Sequence, residues 1–303
     1  MRKHLLAAAA ATFAILLPVG PASAGMPVTQ KMKCPVGGQD FTFTTTASYS
    51  TWGERPDGKP FGSWEFPMAL PECPDNGLVL YKDYEPEEVV RIEPLVASEA
   101  YQALRADVPY YRAYWLMTQM EVPSEGRLIA LLRAAWQADG KPELRARYLG
   151  EFAAETAKLP PKPDDLNWIG MEGRAINALR ELGRFDEAKA RLAKLPLAAL
   201  AVAEPKEGDK SKDAQSARVR RHWSAYFEDL QALIAAGDAS AEPFEMLPQR
   251  VWAGRCLEGK GLAERQQAFC TTNAQAVAEV RAARDKQEAE LKLLQDSREK
   301  AGR

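Results

Sequence analysis

The chain has 303 residues, with 40 Lys and Arg against 42 Asp and Glu, four Cys and two His. Nearly balanced charge without a basic face argues against a nucleic-acid partner. A single histidine beyond His4, His222, leaves little for His-based catalysis. The length suits one elongated domain or two smaller ones.

The start, Met1-Arg2-Lys3-His4, is positive. An apolar run from Leu5 to Leu17 follows, then Pro18, Gly20, Pro21 and the small-residue site Ala22-Ser23-Ala24. This order predicts a cleavable signal peptide over 1–24 and a mature chain from about Gly25. The apolar run is short for a membrane span, which needs roughly 20 residues. No later stretch is apolar enough to cross, so the mature chain is expected without a membrane span, in the periplasm or secreted. Without Arg2 and Lys3 it carries 38 basic and 42 acidic side chains, a mildly acidic balance.

Residues 25–86 are rich in Gly, Pro, Thr and aromatics and predict a small β-rich module. Phe41-Thr42-Phe43 opens a β-prone run to Thr46, and 77–81 reads as a second short strand. Gly53, Pro56, Asp57-Gly58, Pro60 and Gly62 signal turns between them. Tyr49, Trp52, Trp64 and Phe66 could line a groove for a glycan or peptide; the expectation is that they form the module's core. So small a unit gains from a disulfide. Cys34, Cys73, Cys256 and Cys270 allow three pairings in an exported chain. Sequence proximity favours Cys34–Cys73 and Cys256–Cys270.

From about Glu87 apolar residues recur at helical spacing. Helices are expected near 97–106, 110–121, 124–138, 142–158, 165–182 and 185–194, with Asp164 as an N-cap. A charged loop over 203–213 precedes a long helix at 214–236, closing a helical region 87–236. In the last region, 237–303, the segment 238–261 reads as irregular. A charged helical end follows from about Leu262, where Val277, Val280, Leu291 and Leu294 make a thin stripe. That stripe is too short for a coiled coil and predicts a helix that docks in part.

Two patterns carry a resemblance. Asn177-Ala178-Leu179-Arg180-Glu181-Leu182-Gly183-Arg184-Phe185-Asp186-Glu187-Ala188 resembles the turn and second helix of a tetratricopeptide repeat, with Leu192 at a large apolar position. Glu172 and Ile176 stand where that motif has Trp and Gly. A weaker copy runs over 132–144, with Gly140 43 residues before Gly183. Cys34-Pro35-Val36-Gly37-Gly38 and Cys73-Pro74-Asp75-Asn76-Gly77 resemble zinc knuckles of the form Cys-Pro-x-Cys-Gly. Gly37 and Asn76 replace the second thiolate of each. The layout over 32–195 is similar to an uncharacterised bacterial family with paired knuckles before tetratricopeptide-like helices. The resemblance implies a mainly α fold of stacked helical hairpins behind the β-rich module. Two thiolates make a poor zinc site, so a Cys34–Cys73 disulfide is expected in the metal's place.

No Gly-x-Ser-x-Gly elbow or phosphate loop is present, and neither a cofactor nor a catalytic set is expected. Stacked hairpins usually present a concave surface. The expected function is non-catalytic binding of a protein or peptide partner, with Tyr111, Trp115, Trp136 and Trp168 as candidate contacts. Tyr111, Tyr114 and Trp115 share a helix face and also suit helix packing. The alternatives are an envelope hydrolase acting on a polymer through carboxylates, and a metal-binding protein.

Overall fold

The computed structural model describes residues 25–301; the expected signal peptide lies outside them. The described chain is mainly α with a small β module at its start. Strands β1 (Pro27–Lys33) and β2 (Asp40–Thr46) pair antiparallel, with Lys33 opposite Asp40. Strands β3 (Thr51–Glu54) and β4 (Pro60–Gly62) form a second hairpin whose tip is Arg55–Lys59.

The two Cys-Pro-x-x-Gly frames fold as twin turns. In each, the Cys N–H reaches five residues on, to Gln39 O at 2.8 Å or Leu78 O at 2.9 Å. In each, the Cys carbonyl accepts from the N–H four residues on, at Gly38 or Gly77. Those glycines have φ of +73° and +71°, a left-handed conformation that a side chain disfavours. The turns face each other through the Cys34–Cys73 disulfide, Cα to Cα 5.6 Å. Asn76, at a replaced thiolate position, donates to Val36 O of the other turn at 2.9 Å.

The segment 77–81 does not form the expected strand. It makes one isolated bridge, Val79 with Glu72. Side chains and turn backbone together satisfy its polar groups: Tyr101 Oη donates to Gly77 O, Val79 N–H donates to Tyr101 Oη, Tyr84 Oη donates to Val79 O, and Leu80 N–H donates to Pro71 O.

The helices are α1 (Pro86–Ala97), α2 (Glu99–Ala103), α3 (Pro109–Gln119), α4 (Ser124–Gln137), α5 (Pro142–Thr156), α6 (Leu166–Glu181), α7 (Phe185–Leu192), α8 (Lys212–Ala235), α9 (Gln249–Glu258), α10 (Glu264–Thr272) and α11 (Ala274–Ala301). From α3 to α7 each helix packs on the next, and α8 packs on both α6 and α7. The Leu182-Gly183 turn reverses the chain as its motif implies. Gly183 has φ +70°, and Arg184 N–H reaches Leu179 O at 2.9 Å, a helix-terminating bond that needs the left-handed residue. Ala188 behind it is fully buried. Glu172, at the motif's Trp position, is buried and paired with Arg191 at 2.6 Å.

Four expectations change. Helix α1 precedes the helices expected from sequence; its start is held by reciprocal bonds between Glu85 and Glu88, and it tolerates exposed Pro94. The N-cap of α6 is Asp165, whose carboxylate accepts from Asn167 N–H, not Asp164. The irregular stretch 238–261 contains α9, entered at Pro248 and ended by Gly259. The charged end is two helices, and a Cys256–Cys270 disulfide links α9 to α10. Helix α11 does dock only in part: Val277 and Val280 pack around Phe244 and Trp252, whereas 281–298 are exposed throughout.

Three apolar clusters result. The largest runs through α3 to α8, a second surrounds the Cys34–Cys73 disulfide with Leu78, Ile92, Val96, Tyr101 and Leu116, and a third joins α9 to α11. Among the described residues no helix is long and apolar enough to cross a membrane. Closing the 39-residue separation between Cys34 and Cys73 constrains the unfolded chain by about 4 kcal/mol in the loop-entropy picture. The Cys34→Ala/Cys73→Ala protein is therefore expected to lose about 4 kcal/mol in urea unfolding. A loss under about 1 kcal/mol would show that the twin turns hold without their covalent link.

Candidate functional site

The candidate site is one face of three alternate helices. On α4 it presents Ile129, Arg133 and Trp136; on α6, Asn167, Gly170, Met171 and Arg174; on α8, Val219 and Trp223. Spacings of three and four place each set along one helix side. The helices can approach because Gly170 has no side chain: a Cβ there would lie 2.6 Å from the Trp223 ring.

One end of this face is filled by the chain itself. The tip of the β3–β4 hairpin docks there through a buried ionic cluster. Asp57, 1 % exposed, accepts from Arg55 Nη2 at 2.6 Å and from Arg145 Nη2 at 3.1 Å. Arg145 also donates to Glu181 at 2.5 Å and to Asp139 at 2.7 Å. Arg55 and Lys59 reach Asp139 as well, at 2.9 and 2.7 Å. From α8, Tyr226 Oη donates to Pro56 O at 2.9 Å. Arg174 lies so close to Gly58 that a Cβ there would come within 2.7 Å of its Nε.

Charges taken from water need full compensation. Burial alone would raise the Asp57 carboxyl, but Arg55 and Arg145 outweigh it and hold the group below its ordinary range. Glu181 goes the other way: burial raises it, and Arg145 opposes only part of that. Burial lowers Arg180, which is fully enclosed and fixed by Asn177 Oδ1 and Asp238 O. Two acids pushed apart in acidity are what a carboxylate hydrolase would use. Asp57 and Glu181, however, sit under the docked tip with side chains 1 % and 3 % exposed. Neither lines the cavity beside it.

That cavity, about 590 Å³, is the open continuation of the same face. Leu132, Leu159, Pro160, Leu166 and Met171 give it aliphatic walls, and the rim residues Ile129 and Val219 are 41 % and 42 % exposed. Arg174 lies over the Trp223 ring at 5.3 Å. The indole N–H groups of Trp136 and Trp168 are both buried and have no acceptor among the described residues.

The structure brings together two of the four candidate contact residues, Trp136 and Trp168. Tyr111 stacks on Tyr148 at 4.6 Å and donates to Glu151, with Arg147 over its ring. Trp115 packs against Tyr101 at 5.6 Å beside the disulfide cluster. These two serve helix packing. His222 is exposed, edge-on to Trp223. Sequence reasoning missed Ile129, Met171, Arg174, Val219 and Trp223. The signal was the spacing of three and four on α4, α6 and α8. All four cysteines are in the two disulfides described. No group of three or more His, Cys, Asp or Glu that could hold a metal occurs among the described residues.

No family model matches the chain, and no curated protein or solved structure matches it significantly.

Replacing Asp57 by Asn leaves Arg55 and Arg145 without their shared anion. The expected cost is about 3–5 kcal/mol at pH 7, read by urea unfolding. The sign with pH follows from the lowered pKa of the Asp57 carboxyl, held down by Arg55 and Arg145. Its stabilisation is complete above the ordinary Asp value of about 3.9 and fades as pH falls through the lower folded value. The gap between wild type and Asp57→Asn therefore narrows in acid; a gap that widens there would contradict the charged pairing.

Proposed function

We propose that the protein is an exported, non-catalytic binding module that holds an extended peptide segment of a partner in the open groove across α4, α6 and α8. The reading rests on one observation: three helix faces converge on a cavity with aliphatic walls and exposed apolar rims. An extended peptide supplies what that surface lacks, apolar side chains for the walls. The docked hairpin tip closes one end and sets where the segment stops. Stacked hairpins of the tetratricopeptide kind suit such a groove, and the 177–188 turn supports that kinship. Two disulfides fit an oxidising compartment, and the signal-like pattern of 1–24 supports a location in the periplasm or outside the cell.

The test is a peptide-display selection on the intact protein, repeated on Ile129→Asp and Val219→Asp. Both positions are exposed, so folding should hold within about 0.5 kcal/mol. Selected peptides are expected to lose tenfold or more in affinity for each variant. Failure to enrich any peptide on the wild type, or equal binding to both variants, would overturn the assignment.

A further inference from the structure

A second cavity, about 880 Å³, opens between the β module and the α4–α5 corner. It shares Trp136 with the groove but has a different chemistry. Thr44, Thr45, Ser63, Glu65, Gln137 and Asp139 supply polar groups. Trp64 and Phe66 supply flat apolar rings, and of aliphatic surface there is little beyond Pro67 and Ala69. The four module aromatics are not the core that the sequence predicts. Trp52, Trp64 and Phe66 are only half-buried, Tyr49 is 50 % exposed, and Tyr49 stands edge-on to Phe66 at 5.3 Å. Trp64 is braced from behind, since a Cβ on Gly25 would come within 2.6 Å of its ring.

We infer that this cavity is a carbohydrate site, taking an uncharged oligosaccharide with one sugar ring stacked on Trp64 and hydroxyls bonded to Glu65 and Gln137.

Three observations narrow the ligand class. The first is charge. Lys59 and Asp139 neutralise each other at 2.7 Å. Glu65 is left as the lining charge with no ion pair among the described residues, so the wall repels anions and offers one acceptor. The second is unused hydrogen-bonding capacity. Gln137 Oε1 accepts from Tyr110 N–H at 3.1 Å, which leaves its amide N–H groups to donate. The third is shape. A pyranose has an apolar C–H face and a rim of hydroxyls that both donate and accept. It therefore needs a flat ring beneath it and mixed donors and acceptors around it. A peptide needs aliphatic walls, which the neighbouring groove has and this cavity lacks. Its volume lies within the roughly 300–1,000 Å³ usual for small-ligand sites.

The intact protein is titrated with maltotriose, cellotriose and triacetylchitotriose while its tryptophan emission is followed. At least one is expected to give a saturable change with a dissociation constant on the order of millimolar, insensitive to added NaCl because the ligand is neutral. Trp64→Ala should abolish the change. Glu65→Gln, at an exposed position, should weaken binding about tenfold, as loss of a charge-assisted hydrogen bond does. Ile129→Asp, which puts a charge on the apolar rim of the peptide groove, should leave sugar binding intact, so this inference can fail while the peptide reading stands, and the reverse. No saturable change with any of the three sugars overturns the proposal. So does a change that survives Trp64→Ala or is removed by Ile129→Asp. If Trp64→Ala does not fold, Glu65→Gln and Thr45→Val decide, and undiminished binding by both overturns it.

Discussion

The placement of the β module depends on one buried carboxylate. Asp57 lies between Arg55, from its own hairpin, and Arg145, from the start of α5. Arg145 in turn binds Asp139 at the end of α4 and Glu181 at the end of α6. A single guanidinium thus ties three helix ends and a β turn to one point. Such clusters contribute little net stability compared with apolar packing, because desolvation offsets most of the attraction. What they enforce is geometry, since any other placement of the tip would leave several charges buried and unpaired.

That geometry divides the helical face. The tip fills the end near Asp139, Glu181 and Tyr226, while the aliphatic remainder stays open. The same docking swings Trp64 and Phe66 toward the α4–α5 corner and creates the polar cavity there. Trp136 belongs to both spaces, because it sits where α4 passes from the open groove to the docked tip; its carbonyl is within 3.4 Å of Lys59 Nζ. Neither space would exist in the same form if the module hung free on its linker.

Much of this was readable in the residues, for identifiable reasons. The helices over 110–121, 124–138, 142–158 and 165–182 announce themselves through apolar spacing and Pro at their starts, and the structure differs by a residue or two at their ends. The Leu182-Gly183 turn was legible from its own residues, and proximity in sequence favoured the two disulfide pairings that form. Helix α1 falls within the region read as helical from Glu87, although the first helix was expected only near 97. Helix α9 was hidden by its flanking Pro248 and Gly259, which are its boundaries. Only an isolated bridge forms at 77–81, where Tyr101 and the nearby Tyr84 take the hydrogen bonds of Gly77 and Val79. Of the site, Trp136 and Trp168 stood out as large aromatics on helices. The tip's destination did not, since Asp57 and Arg145 are 88 residues apart and nothing local marks them as partners.

The reach of the hairpin tip also fixes the order in which the fold can close. Pro56 and Tyr226 are 170 residues apart in the chain. Contacts of such separation must wait until the intervening segment is compact, because the entropy of closing the loop comes before any reward. The strands of the module come before the helices in the chain, yet the contact of their tip with Tyr226 can form only after α8 has been made. The tip is therefore seated in stages: Arg55 and Asp57 find their partners once α4 and α5 are in place, and the Pro56 carbonyl finds its donor only with α8.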